Sequence, residues 1–462
     1  MSEELTWLPA WRIRELIGKR EVSPVEVTEH FLGRIEELDP KLKAFRTLDA
    51  SGAREQARRA EAAVLSGEPL GPLHGIPISV KEHIPVAGLP LTKFMLPALS
   101  SDAGVASRDH LGIERLRDAG AVIVGANTMM GSGSDVFGQY NWDVEARNPW
   151  DTGRVPGWSS SGGAATAAAR LLPIAIGSDG GGSTRLPAAY SGVVGVHPSA
   201  GLIPAPSYEI PHVGNPTVTI GPLCRNVRDA AITLQALAGP DGRDWMSTQA
   251  DPPDYLATLD AGVAGLRLGW TDDFGFAQMY AQEESPRVLE TVRRAAHGFA
   301  SLGAKVEPVT ETWEDFFLGY MVSTYLFMPA GMAFPKPTAE QWSGMLDTRQ
   351  RNWQRFRKLL RDVDVLLSPT SQIVARKVED WDRAWTRDGA RYPHGTFAPT
   401  YTSHTHMFNW LGFPAASVPC GFVDGLPVGL QIVGLPGREG TILRVANAFQ
   451  KAYPRDERPP VS

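Results

Sequence analysis

Residues 155–188 form the most distinctive stretch of the chain and read VPGWSSSGGAATAAARLLPIAIGSDGGGSTRLPA. Two turns rich in serine and glycine, Gly157–Gly163 and Gly177–Arg185, flank an alanine-rich helix and a short apolar strand. We expect this arrangement to bring the hydroxyl groups of the two turns together. The loop Gly180–Ser183 offers consecutive backbone N–H groups with no Cβ atom in the way. Such a loop suits an anion, either a phosphate or the oxyanion of an acyl-transfer intermediate.

The same step from helix to apolar strand recurs on both sides of this stretch. It is repeated within Asp109–Gly125, Arg287–Glu307 and Arg349–Leu367. Helices that alternate with apolar strands along the chain predict an α/β fold. We expect one large domain, residues 1–462, with a central mixed β-sheet flanked by helices on both faces.

An N-terminal helical layer, residues 1–70, is expected to precede the first predicted strand, residues 76–81. Its clearest helix begins at Ser23–Glu26, where an N-cap serine, a proline at N1 and a capping-box glutamate follow one another. Apolar residues then recur on one helical face. The helix is predicted to end at Asp39–Pro40, because proline disfavours continuation of a helix.

Composition excludes several classes of protein. The 462 residues include 45 Lys plus Arg against 51 Asp plus Glu, a formal charge of -6, which gives no electrostatic reason to expect nucleic acid or an anionic membrane as a partner. The two cysteines, Cys224 and Cys420, are too few for a disulfide framework and have no metal-ligand spacing. We therefore expect no metal and no cofactor. The acidic N-terminus and the lack of a long apolar run predict a cytoplasmic protein.

Two familiar motifs fail to explain the glycine-rich turns. A P-loop needs Gly-Lys-Ser/Thr, and here Ser183 follows Gly182 with no lysine between them. The esterase pattern Gly-x-Ser-x-Gly fails too, because the run Gly157–Ser160 is followed by Ser161. Turns of this composition often do no more than join strands to helices, so one turn alone is more typical of a structural role.

Taken together, the two turns resemble the amidase signature family of serine hydrolases. The resemblance covers residues 6–455 and is weakest between 200 and 350. It rests on GIPISVKE (75–82), NPWD (148–151), RVPG (154–157), GGSTRLPA (181–188), IGPL (220–223), DVLLSPT (364–370) and GFPAASVP (412–419). The domain is accordingly expected to divide into a catalytic core over 71–200, a variable substrate-binding region over 200–350, and a C-terminal sheet and helix over 360–455.

The resemblance implies a catalytic set of two serines and one lysine. Ser183 matches the nucleophile, Ser159 the bridging serine that follows a cis peptide, and Lys81 the base. A serine hydroxyl is a weak nucleophile and needs a base within about 2.6–3.2 Å. An ammonium with an ordinary pKa near about 10.4 cannot serve until burial lowers that pKa. The resemblance therefore implies that Lys81 is buried and neutral.

Further residues follow from the same resemblance. The backbone N–H groups of Gly180, Gly181, Gly182 and Ser183 are expected to hold the oxyanion, each donor being worth about 3 kcal/mol of barrier. The supporting residues are Asp179, Arg185 and Ser160. Asp179 and Arg185 match a charge pair that braces the nucleophile loop (Gly180–Ser183), and the pair is equally compatible with an ordinary structural ion pair. Ser160 is expected to orient its neighbours.

The substrate pocket is the feature that the sequence defines least. Trp158 stands where the family usually has glycine, and its indole is interpreted as a pocket wall. Apolar and aromatic side chains at helical spacing after residue 312 predict either a core stripe or one wall of an apolar funnel. The residues assigned to the pocket are Met130, Ser132, Trp158, Phe317, Tyr320 and Met321.

Three functions are weighed against these residues. The first is an amidase that hydrolyses C–N acyl bonds of bulky apolar amides such as anilides, with aryl esters and carbamates (urethanes) as further substrates. Its partner is a small-molecule substrate, and a homodimer is a possible assembly. The second is a glutaminase subunit of an amidotransferase, which needs a partner protein. The third, a binding protein that has lost activity, disagrees with the presence of Lys81, Ser159 and Ser183.

Overall fold

Two of the predicted site residues, Lys81 and Asp179, lie at the ends of strands. The computed structural model describes residues 2–92, 104–131, 141–205, 217–315, 317, 319, 337–380 and 397–462. The strands in this part of the chain are β1 (Phe45–Leu48), β2 (Pro77–Lys81), β3 (Val122–Asn127), β4 (Ile174–Asp179), β5 (Val194–His197), β6 (Thr219–Cys224), β7 (Arg267–Trp270), β8 (Lys305–Pro308), β9 (Val365–Pro369), β10 (Ala415–Val423) and β11 (Leu426–Val433).

These strands form one mixed sheet in the order β1-β3-β2-β4-β6-β5-β10-β11-β9-β7-β8. In the half of the sheet that begins at β1, β2 pairs in parallel with both β3 and β4, and β4 pairs antiparallel with β6. The C-terminal hairpin β10–β11 joins this half to the rest of the sheet, because β10 also pairs with β5 and β11 pairs with β9. The predicted α/β fold with a central mixed sheet is confirmed.

Helices flank the sheet. α4 packs on β3, α6 on β4, and α9 on β10. The helices of the described residues are α1 (Ser2–Trp7), α2 (Ala10–Gly18), α3 (Pro24–Leu42), α4 (Ala50–Ser66), α5 (Leu111–Asp118), α6 (Ser161–Ala168), α7 (Arg185–Ser191), α8 (Val227–Leu237), α9 (Ser285–Gly298), α10 (Ala339–Asp362), α11 (Phe397–Thr402), α12 (His406–Leu411) and α13 (Glu439–Ala452). Among these helices, none combines the length and the apolar character that crossing a membrane requires.

Helix α3 confirms the predicted start but not the predicted end. Ser23 and Glu26 form the capping box, and the helix continues through Pro40 to Leu42. Proline removes one helix hydrogen bond, to the carbonyl of Glu36. Residues 36 and 40 are both exposed, so water can take the place of the missing donor. The prediction of a stop at Asp39–Pro40 was wrong for this reason.

Small side chains bring the two serine-glycine turns together. An alanine-rich cluster joins α6, α7, β4 and β6 and consists of Ala164, Ala167, Ala168, Ala175, Ala188, Val193 and Leu223. Close packing of this kind lets both helices approach the sheet. Helix α6 begins at Ser161, within the first turn, and α7 begins at Arg185, at the end of the second, and the two helices contact each other. The turns meet where the Ser160 N–H donates to the Ser183 carbonyl at 3.1 Å.

Candidate active site

Lys81 lies at the end of strand β2, where the chain leaves the sheet beneath the first of the two turns, Gly157–Gly163 (the serine turn). Its side chain is 1% exposed. The Nζ atom donates to three hydroxyl oxygens, those of Ser159 at 2.7 Å, Ser160 at 3.0 Å and Ser178 at 3.0 Å. The structure therefore brings Lys81 and the predicted Ser159 and Ser160 together. Ser178 is a contact that the sequence analysis missed.

Burial lowers the pKa of Lys81 to about 7, although the carboxylates of Asp179 and Glu82 act in the opposite direction. Removing the ammonium from water disfavours its charged form. A substantial fraction of this amine is therefore neutral near pH 7 and carries a lone pair that can accept a proton. This is the property that a general base requires.

The hydrogen-bond pattern distinguishes Ser159 from its neighbour. The Ser160 hydroxyl donates to the Ser178 carbonyl at 3.1 Å and accepts from the Ser178 N–H at 3.2 Å. The proton of Ser160 is therefore committed to a backbone acceptor. Ser159 is buried, and its hydroxyl is the closest of the three to Nζ. It is therefore the best placed to give its proton to the amine.

The serine turn is fixed by contacts from two other segments. The Trp158–Ser159 peptide is cis, as the resemblance implies. The Trp158 N–H donates to the hydroxyl of Tyr401 at the end of α11. The Ser159 carbonyl accepts from the N–H of Met130 at 3.0 Å. These contacts hold the backbone on both sides of the Ser159 side chain.

The nucleophile loop presents Ser183 at the boundary between the buried site and solvent. Ser183 is half-buried, whereas Lys81 and Ser159 are buried. The loop backbone is tightly held, since the carbonyl of Gly182 accepts from Leu186 N–H at 2.7 Å. A hydroxyl placed here is reachable from outside and still lies beside the serine turn.

The structure contradicts the prediction for one oxyanion donor, the N–H of Gly182. The N–H of Gly182 donates to Asp179 Oδ1 at 2.6 Å, so its hydrogen points away from any substrate. A carboxylate is a strong acceptor and the bond is buried, which explains why this amide is not available. The N–H groups of Gly180, Gly181 and Ser183 have no acceptor within the described ranges.

Asp179 and Arg185 form the predicted brace of the nucleophile loop. Both are buried, and Arg185 Nε lies 2.9 Å from Asp179 Oδ2. Burial raises the pKa of Asp179, but Arg185 and His197 outweigh it, and that pKa lies below its usual range. Asn409 donates to Asp179 Oδ1 at 2.9 Å. Gln431 accepts from Arg185 at 2.8 Å.

Sequence reasoning did not identify Asn409, Gln431, Tyr401 or Thr405, which all form hydrogen bonds with the two serine-glycine turns. Each contact joins residues more than two hundred positions apart, for example 246 positions between Arg185 and Gln431. No local spacing in the sequence could reveal such pairs. Gln431 lies in β11, and Tyr401, Thr405 and Asn409 lie in or between helices α11 and α12, so tertiary packing of the C-terminal segment places them here.

The predicted pocket residues fall into separate groups. Met130 is buried and Trp158 half-buried in one apolar cluster beside the serine turn, whose other members are Trp142, Val155, Leu186, Tyr190, Ile373, Ala375, Val378 and Tyr401. Phe317 lies instead against His406, with ring centroids 5.7 Å apart. Ser132, Tyr320 and Met321 lie outside the described residues.

No group of three or more His, Cys, Asp or Glu side chains among the described residues is arranged to hold a metal ion. His404 and His406 make backbone contacts instead, His404 Nε2 with the Asp272 carbonyl at 2.9 Å and His406 Nδ1 with the Thr402 carbonyl at 2.8 Å. Burial lowers the pKa of His404 to about 4. These two side chains therefore serve the packing of α12.

Sequence relatives cover nearly the whole chain. The family model for Amidase matches residues 26–336 and 335–443. A glutamyl-tRNA(Gln) amidotransferase subunit of Caldanaerobacter subterraneus subsp. tengcongensis is 33% identical over 505 residues, which cover 99% of this chain and 98% of the relative. The corresponding subunit of Roseiflexus castenholzii is 33% identical over 491 residues, which cover 95% of this chain and 94% of that one.

Solved structures with the same fold agree with this relationship. A bacterial aryl acylamidase of the amidase signature family superposes with a TM-score of 0.83 at 25% identity, covering 97% of both chains. The glutamyl-tRNA(Gln) amidotransferase subunit of Thermotoga maritima gives a TM-score of 0.77 at 25% identity, covering 99% of this chain and 98% of that one. The chain therefore belongs to the amidase signature family and is an amidohydrolase that acts on C–N bonds.

Proposed function

We propose that this protein is an amidase that hydrolyses bulky apolar amides such as anilides, and related aryl esters or carbamates (urethanes), through an acyl-enzyme on Ser183. The observation that carries the proposal is the 2.7 Å contact between the Lys81 amine and the Ser159 hydroxyl in a buried site. The pKa of about 7 for Lys81 supports the same assignment, because it makes the amine a base at neutral pH.

In the first half-reaction, neutral Lys81 takes the proton of Ser159 while Ser159 takes the proton of Ser183. The Ser183 oxygen then forms a bond with the carbonyl carbon of the substrate, and negative charge develops on the carbonyl oxygen. The ammonium of Lys81 returns a proton through Ser159 to the leaving nitrogen, and the C–N bond breaks. Water repeats these steps, which releases the acid and restores all three groups.

The oxyanion is received by backbone amides of the nucleophile loop. With the Gly182 N–H committed to Asp179, the donors in this proposal are the amides of Gly180, Gly181 and Ser183. Donors that are already oriented stabilise the developing charge without reorganisation during the reaction.

The surroundings of the serine turn support an apolar substrate. Trp158 directly precedes Ser159 and remains half-buried, and its ring lies 6.5 Å from that of Tyr401. Tyr401 in turn lies 5.4 Å from Tyr190. Both tyrosines are buried, so the half-buried Trp158 is the ring of this set that can contact a substrate, and it favours an aryl or long apolar group because an aromatic face gains from burial against another apolar surface.

A second candidate function is a glutaminase subunit that works with a partner protein. It is favoured by the relatives at 33% identity, which carry the name of an amidotransferase subunit. Free glutamine bears an ammonium and a carboxylate, so its recognition needs charged or strongly polar groups beside the scissile amide. The hydrophobic side chains that pack with Trp158 carry no charged group that could pair with either of these charges.

A substrate panel tests the proposal. The purified chain is offered a 4-nitroanilide, an aryl carbamate, an aryl ester and free glutamine, with Ser183→Ala as the inactive variant and the exposed Ser66→Ala as its control. We expect turnover of the apolar substrates by wild type and Ser66→Ala, and at least about a thousandfold loss in Ser183→Ala. Activity on glutamine alone would favour the second candidate, and full activity of Ser183→Ala would refute the assignment of the nucleophile.

A further inference from the structure

One peptide group in the nucleophile loop is held at both of its polar atoms. The carbonyl oxygen of Gly181 accepts from the Thr405 hydroxyl at 2.6 Å. The N–H of the same peptide, on Gly182, donates to Asp179 Oδ1 at 2.6 Å. Because a peptide group is planar, fixing both atoms fixes the orientation of the whole plane.

This held peptide lies between the two peptides that carry the amides of Gly181 and Ser183. Neither amide has an acceptor in the described part of the chain. A rotation of the central plane would turn both of its neighbours. The contact from Thr405 therefore controls the direction of two proposed oxyanion donors, although Thr405 itself is not one of them.

Thr405 also packs directly against the loop. A Cβ atom on Gly182, whose φ is +122°, would lie 2.3 Å from the Thr405 hydroxyl oxygen. Thr405 is fully buried. Its own carbonyl accepts from both terminal nitrogens of Arg185 at 3.2 Å, which ties it to the ion pair beneath the loop. A side chain fixed in this way can hold the peptide without reorganising during the reaction.

We propose that Thr405 is a positioning residue that orients the oxyanion-binding amides of Gly181 and Ser183 through its hydrogen bond to the Gly181 carbonyl. The inference rests on the proposed function, because it assigns those amides to the oxyanion of that reaction. It adds a side chain from outside the serine turn and the nucleophile loop to the residues that determine the rate.

The test compares an aryl ester with its thionoester, in which sulfur replaces the carbonyl oxygen. Sulfur is a weaker hydrogen-bond acceptor, so the ratio of the two rates reports on the oxyanion donors. In Thr405→Val we expect kcat on the ester to fall by about tenfold to a hundredfold with KM nearly unchanged, and the ester-to-thionoester ratio to fall with it. Thr405→Ser should keep the wild-type ratio.

A matched control is Thr233→Val. Thr233 is also buried, and its hydroxyl donates to a backbone carbonyl, that of Asp229, at 2.7 Å in α8. This variant should lose some thermal stability and keep the wild-type ratio. If Thr405→Val does not fold, Thr405→Ala and Thr405→Ser form a second pair that differs by one hydroxyl, and the serine variant should have the higher ratio.

The outcomes separate this inference from the function on which it rests. Equal losses on both substrates in Thr405→Val, or equal ratios for the alanine and serine variants, would overturn the role of the hydroxyl while leaving the amidase assignment intact. A wild-type protein that hydrolyses no ester and does not react at Ser183 with a fluorophosphonate, as read by mass, would overturn both.

Discussion

At the scale of single residues, Lys81 and the hydroxyls around it show how burial and hydrogen bonding divide the tasks of similar groups. Three hydroxyls contact the same amine, yet the proton of Ser160 is bound to the Ser178 carbonyl. Ser159 keeps the shortest contact with Nζ. Neighbouring serines of one turn therefore differ in the availability of their hydroxyl protons because of their other partners, although the two side chains are identical.

The pH dependence of activity follows from the pKa of Lys81. Its pKa of about 7 means that the protonated amine, which has no lone pair, predominates at lower pH. We expect kcat/KM to fall by about tenfold per pH unit below that value. His197 and His404 do not titrate in this window, because burial lowers their pKa values to about 3 and about 4.

A charge substitution beside the Lys81 amine should shift the acidic limb of the pH–activity profile, the range in which kcat/KM falls with falling pH. The carboxylate of Glu82 raises the pKa of Lys81, so Glu82→Gln should lower that pKa and shift the limb to lower pH. The exposed Glu55 on α4 serves as the control, and Glu55→Gln should leave the limb in place. A limb that stays unchanged in Glu82→Gln would argue against Lys81 as the titrating group.

At the scale of elements, the close approach of α6 to the rest of the core sets the position of the serine turn. Gly162 lies in its first turn, where a Cβ atom would meet the carbonyl oxygen of Ala44 at 2.3 Å and the backbone nitrogen of Thr128 at 2.7 Å. These are backbone atoms, which cannot move aside as the end of a flexible side chain can. The helix therefore depends on glycine at this position.

Two glycine-to-alanine substitutions test this dependence. Gly162→Ala should lower the melting temperature and reduce kcat, because α6 and the serine turn must shift outward. Gly33→Ala in α3 is the matched control, since a Cβ atom there meets nothing within 4 Å, and alanine in a helix should add about 0.5–1 kcal/mol of stability. Thermal denaturation with parallel activity assays measures both effects, and an unchanged Gly162→Ala would contradict the packing argument.

At the scale of the whole molecule, the Asp179–Arg185 pair connects segments from across the chain. Asp179 ends β4 and Arg185 begins α7. Arg185 also reaches Gln431 in β11, and Asn409 in α12 donates to Asp179. The C-terminal half of the sheet thus supports the nucleophile loop of the N-terminal half.

Removing one charge of this pair should be costly. Asp179→Asn leaves the Arg185 guanidinium buried without its counter-charge, and we expect a loss of about 3–5 kcal/mol in the free energy of unfolding, read from urea denaturation. The double variant Asp179→Asn with Arg185→Met should recover part of the loss. Glu15→Gln, which removes the exposed pair with Arg12, should leave the midpoint nearly unchanged. A similar midpoint for all three would contradict a structural role of the pair.

Local sequence was sufficient for several features. The two serine-glycine turns and the capping box at Ser23 are encoded within a few residues, because cap and turn geometries depend on neighbouring backbone groups. The alternation of helices with apolar strands likewise predicted the mixed sheet that the structure contains. The residue-by-residue resemblance supplied Lys81, Ser159 and Ser183, of which the structure places Lys81 and Ser159 in direct contact.

Other features were decided by the tertiary structure alone. The Gly182 amide is bound to Asp179, and Thr405 holds the Gly181 carbonyl across 224 positions of sequence. The same holds for the bond between Tyr401 and Trp158. The physical reason is that a hydrogen bond depends on the distance and direction between two groups, and for residues far apart in the chain these are set by strand order and helix packing. Local sequence pattern determined which side chains and backbone amides are candidates for the proposed reaction. The folded sheet determined which of their hydroxyl protons and N–H groups are available for it.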